Sequence, residues 1–82
     1  CASCHAGKLL TDNRSVDVGT GEVLQVPALR NVSYRLPLMH NGCATSLRQR
    51  FDAACGGGDK HGNTSQLTPA ELDDLIAYLE TL

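Results

Sequence analysis

Cys1-Ala2-Ser3-Cys4-His5 opens the chain, and no other feature restricts its fold so strongly. Two thiols separated by two residues face one side of a single helical turn, and a histidine follows directly. C-x-x-C-H is the attachment signature of c-type haem. Each thiol can add to one of the two haem vinyl groups, which brings the ring of His5 beneath the porphyrin as proximal iron ligand. Two rival readings are weaker. A redox C-x-x-C belongs in a βαβ setting, whereas this chain reads as helix and loop. A zinc site needs two further ligands at close spacing, and Cys43 and Cys55 lack that spacing.

Composition supplies the reason for such a group. The chain has 82 residues with no Trp, one Phe and two Tyr. Aromatic side chains usually dominate core burial, and a chain this short is marginal even with a normal core. A covalently held, flat apolar body would provide the missing volume. The formal net charge of −2 gives no basic footprint for nucleic acid. No apolar run approaches the roughly 20 residues of a membrane span. The chain begins on Cys1 rather than Met, so the expectation is one domain over residues 1–82, a module of a longer protein.

With Cys1 and Cys4 assigned to haem, Cys43 and Cys55 remain. Haem attachment of this kind takes place outside the cytoplasm, where disulfides persist. The two either bridge, closing a short loop, or stay as small buried thiols.

Two helices are expected. Ser46-Leu47-Arg48-Gln49 is an S-x-x-Q capping box opening a helix with Leu47, Phe51, Ala54 and Cys55 at helical spacing and a stop at Gly56. Thr68-Pro69-Ala70-Glu71 is a second box with proline at the first helical position. It is followed by the apolar stripe Leu72, Leu75, Ile76, Leu79, Leu82. Val23, Leu24 and Val26 form an extended piece stopped by Pro27; Val16 to Gly21 and Leu36 to Gly42 read as loops.

The sixth iron position decides between electron transfer and ligand chemistry. Met39, the sole methionine, is the leading candidate, in a loop stiffened by Pro37; a thioether ligand raises the reduction potential. His40, His61 and an open or solvent-bound iron are the alternatives. His61 lies in a polar loop that suits solvent exposure. Arg30 either pairs with a haem propionate, since a guanidinium suits a carboxylate, or is simply solvated.

Three stretches carry a family likeness: Val26-Pro27-Ala28-Leu29-Arg30-Asn31-Val32, Leu36-Pro37-Leu38-Met39-His40-Asn41-Gly42 with Thr45-Ser46-Leu47, and Leu67 through Leu79. Together with Cys1 to His5 they resemble the C-terminal haem domain of the bacterial di-haem cytochrome c peroxidase and MauG superfamily. The resemblance implies an all-α, class I cytochrome c-like fold: a few short helices around one covalent haem c, with long irregular loops. It implies a periplasmic or extracellular location. It also implies that Arg30 and His40 serve the propionates and nearby hydrogen bonds. The chain departs from the pattern in holding a single C-x-x-C-H, in lacking a methionine around Asp52 to Cys55, and in Leu38, where the family has an aromatic.

One-electron transfer follows, with His5 and Met39 as iron ligands. The partner is then a redox protein or a neighbouring haem domain. The alternative is a haem domain, electron-feeding or peroxidatic, of a multi-haem peroxidase or MauG-like oxidoreductase.

Overall fold

The computed structural model describes residues 1–82. In chain order it contains β1 (Ser15–Asp17), β2 (Val23–Gln25), a 3-10 turn at Val32–Tyr34, another at Gln49–Phe51, α1 (Ala53–Gly56), a third 3-10 turn at Gly58–His61, and α2 (Pro69–Glu80).

The capping chemistry of Thr68 explains where α2 begins. The Thr68 hydroxyl accepts from the Glu71 amide at 3.2 Å, and the Glu71 carboxylate accepts from the Thr68 amide at 2.8 Å. Two of the first turn's three free amides are thereby satisfied, and Pro69 costs nothing at the first helical position. Thr68→Ala should lower stability by about 1 kcal/mol, read as a shifted denaturation midpoint with an unchanged slope.

The expectation of an all-α fold is overturned. Helix of all kinds accounts for 32% of residues and strand for 10%, with β1 and β2 pairing antiparallel in the register Ser15↔Gln25, Val16↔Leu24, Asp17↔Val23. The cause is local. The Asp17 carboxylate accepts from the amides of Gly19 at 2.8 Å and Thr20 at 3.2 Å, while Gly19 and Gly21 both take φ +87°. Glycine reaches that region without steric cost, so the stretch read as loop folds back into a hairpin. The Val16 and Leu24 side chains share its half-buried face.

The helix expected from Ser46 is also broken. Its cap does form, with the Gln49 amide donating to Ser46 Oγ at 3.2 Å. The Gln49 side chain, however, turns to the Thr45 amide at 2.8 Å and hydroxyl at 2.7 Å. Asp52 is extended at φ −68°, ψ 129°, which splits the segment into a 3-10 turn and the short α1. Between Leu38 and Ala44 the chain forms a small hairpin, closed by a bridge between those two residues. Met39 stands at its corner with φ +67°. Cys43 and Cys55 lie with Cα atoms 5.7 Å apart, their sulfurs in bonding contact.

The polypeptide core is thin. Its buried apolar side chains are those of Val26, Val32, Ala44 and Leu47. The α2 stripe faces inward but stays half-buried along its whole length. A compact monomer of this mass exposes about 4,700 Å², and this chain exposes 5276 Å². No helix is long and apolar enough to cross a membrane.

Candidate functional site

The first turn builds the site. The amides of Cys4 and His5 donate to the Cys1 carbonyl at 3.1 and 2.9 Å, so both thiols and the imidazole leave one helical turn. Cys1 is exposed and Cys4 half-buried, and neither is bridged. The Arg14 guanidinium reaches Cys4 Sγ at 3.6 Å and the Ser3 carbonyl at 3.3 Å. Asp12 anchors that arginine, its Oδ2 accepting from Arg14 Nε at 2.6 Å. The backbone amide and guanidinium of Arg14 hold the Asp12 carboxyl below its ordinary value.

His5 Nδ1 lies 3.3 Å from the Leu10 carbonyl. A carbonyl only accepts, so the ring proton sits on Nδ1 and the lone pair on Nε2. That is the arrangement of a metal-ligating histidine, whose second nitrogen is fixed by a backbone acceptor.

His61 shares the same geometry. Its Nδ1 lies 3.1 Å from the Gly56 carbonyl, and its ring centre stands 6.4 Å from that of His5 with the planes 29° apart. Burial, then the nearby Arg50 guanidinium, pushes His61 down to about 4, so the ring is neutral at neutral pH. Arg50 donates to the His61 carbonyl and lies 4.8 Å above the centre of the Phe51 ring. A Cβ placed on Gly62 would come within 3.2 Å of Cys1 Sγ, so the loop after His61 rests against an attachment thiol.

The other residues singled out in the sequence are dispersed. Met39 is half-buried at its hairpin corner and His40 is exposed, lining a shallow recess with Thr20, Ala54, Cys55 and Gly57. Arg30 is exposed, and its Nε donates to the Lys8 carbonyl at 2.8 Å, three residues beyond His5. The pairing of His61 with His5 is what sequence reasoning underrated. Its local signal is the glycine frame, Gly56-Gly57-Gly58 before it and Gly62 after it, which marks a tight turn rather than a loose polar loop.

Comparisons with known proteins place the chain in a family. The family model for cytochrome c matches residues 1–82. The methylamine utilization protein MauG of Methylorubrum extorquens is 31% identical, over 100% of this chain and 30% of its own length. The cytochrome-c peroxidase IdrP1 of Pseudomonas sp. (strain SCT) is 39% identical, over 80% of this chain and 18% of its own. IdrP2 of Denitromonas iodatirespirans, also a cytochrome-c peroxidase, is 43% identical over 68% of this chain and 16% of its own. The chain therefore spans under a third of these relatives. No solved structure matches it.

The cytochrome c family carries covalently attached haem c, and the residues here fit that group. Two unbridged thiols and a histidine with a free Nε2 share one turn. The thin core and surplus exposed surface leave room for a large apolar body. No cluster of three His, Cys, Asp or Glu side chains exists that would suit a zinc ion.

Proposed function

We propose that this chain, which belongs to the cytochrome c family, works as a one-electron relay, with Cys1 and Cys4 holding the haem and His5 as proximal ligand. The observation that carries the reading is the single turn presenting both thiols together with a His5 ring whose Nδ1 is committed to the Leu10 carbonyl. When bound, the haem supplies a ferric–ferrous couple. The residues of the chain do the rest. Cys1 and Cys4 fix the porphyrin by two covalent links, so that it cannot dissociate between turnovers. The Leu10 carbonyl orients the His5 ring and raises its basicity as a ligand. Arg30, held by Lys8, has its terminal nitrogens free for a propionate, and His40 is the other sequence-based candidate for that role. Met39 is the sequence-based candidate for the sixth position.

A second reading is favoured by the relatives, which are MauG and cytochrome-c peroxidases. In it, this domain passes electrons to a second haem centre at which peroxide is reduced. Both readings put the domain in the periplasm or outside the cell, and both give it a redox protein or neighbouring haem domain as partner. A pyridine haemochrome assay should report thioether-linked haem, and potentiometric titration should follow a one-electron curve. Mixing the ferrous protein with CO tells an electron-transferring domain from a peroxidatic one: no rapid binding supports electron transfer, to a partner or to the second centre, while rapid binding places peroxide chemistry at this iron. Absence of covalent haem would end both.

An oxidising compartment also suits a Cys43–Cys55 bridge. For a loop of this size the chain-entropy model gives about 3 kcal/mol of stability. The double variant Cys43→Ala with Cys55→Ala should lose roughly that amount in urea denaturation. Alkylation of the native protein without reductant should label neither cysteine.

A further inference from the structure

We propose that His61 is the axial ligand opposite His5, so that two histidines hold the haem iron. The inference rests on the haem-binding reading above and deepens it, because the sixth ligand decides what the iron can do.

Three observations carry it. The first is the distance. A metal–imidazole bond is about 2.0 Å, and the ring centre lies about 1 Å further on, so two imidazoles on opposite sides of one metal stand about 6 Å apart, centre to centre. The His5 and His61 rings are 6.4 Å apart. For rings only 29° from parallel, that is too wide for their faces to touch.

The second observation is the tautomer. Both rings spend Nδ1 on a backbone carbonyl, Leu10 for His5 and Gly56 for His61. Each is left with a lone pair on Nε2, the nitrogen that binds a metal when Nδ1 is so anchored. A histidine that served only to close the α1 turn would have no need of a matched partner from the C-x-x-C-H turn.

The third observation is how firmly His61 is held. Arg50 clamps its carbonyl. Gly62 lies against Cys1. Asp59 ties the far end of the loop, accepting from the amides of Thr64 at 3.0 Å and Ser65 at 2.9 Å and from the Ser65 hydroxyl at 2.6 Å. The loop is thus fixed at both ends beside the attachment turn. Met39, by contrast, stands at the corner of a separate hairpin closed by the Leu38–Ala44 bridge.

Two consequences follow. The iron has no vacant position, and its potential lies below that of a His/Met haem, because the thioether is what raises it.

The test uses the holoprotein in four forms, wild type and three variants. Wild type should give a low-spin ferric spectrum without the near-infrared band of thioether ligation. His61→Gly should become high-spin and bind CO rapidly when ferrous, and added imidazole should restore the low-spin state. Met39→Leu should leave every spectrum unchanged. Should His61→Gly fold poorly, His61→Met provides a second readout: the thioether band should appear and the potential should rise. The proposal is overturned if wild type shows the thioether band, if Met39→Leu turns high-spin, or if His61→Met leaves the spectrum as it was. The haemochrome assay reads covalent attachment independently, so failure of the ligand assignment and failure of the haem reading are distinguishable.

Discussion

Replacing both Cys1 and Cys4 by alanine should yield a chain that retains no haem after acid–solvent extraction and shows no cooperative unfolding transition. The first outcome follows from the chemistry, since those thiols are the two groups able to form thioethers in this turn; the sulfurs of Cys43 and Cys55 lie against each other instead. The second follows from the core. The buried apolar side chains are Val26, Val32, Ala44 and Leu47. Ordering the backbone costs about 1–2 kcal/mol per residue, and four side chains, one of them an alanine, cannot offset that for a chain of 82 residues. The expected result is that the haem is part of the fold as well as its cargo. Intact mass before and after extraction reads attachment, and circular dichroism against temperature reads folding. A double variant that unfolds cooperatively at the wild-type midpoint would refute the structural half of the prediction. The single variant Cys1→Ala should keep one link and an intermediate stability.

Gly57→Ala should cost about 3 kcal/mol or more, and it should disturb the haem spectrum although Gly57 is not a ligand. Gly57 joins α1 to the turn that carries His61, at φ +79°, where an L residue pays roughly 1–2 kcal/mol. Its added Cβ would also stand 2.1 Å from the Val18 carbonyl oxygen. That atom belongs to the β1–β2 connection, so relief requires moving the hairpin or the His61 turn, an overpacking penalty of about 1–3 kcal/mol. Gly7→Ala is the control. Its φ is +71° but its Cβ meets nothing within 4 Å, so only the backbone cost of about 1–2 kcal/mol applies. Urea denaturation of both holoproteins gives the difference directly. Equal losses would show that the Val18 contact yields freely.

The parts of this protein legible in its sequence are those whose signal lies within one turn. Cys1, Cys4 and His5 are read together because attachment chemistry acts over five consecutive residues. Thr68, Pro69 and Glu71 mark the start of α2 because capping is a contact between near neighbours. The extended run ending at Val26 was equally plain. Its partner Ser15–Asp17 was not, since a three-residue strand has no periodicity to detect and depends on the Asp17 turn to find its mate. The Ser46 box misled about length. It states where a helix can begin, while the break at Asp52 lies beyond its reach.

The sixth position shows the same division at the functional level. Residue type narrowed the candidates to Met39, His40 and His61, because few side chains bind iron. Ranking them from local context favoured a stiffened methionine over a histidine in a polar loop. The structure brings His61 ring to ring with His5, through contacts from Arg50 and Cys1 that lie elsewhere along the chain. Sequence alone thus determined that a haem is attached and which histidine follows it, because covalent attachment is local chemistry. Which residue faces that histidine was decided only by the tertiary structure, because opposition across a metal is a relation between segments that meet only when the chain folds.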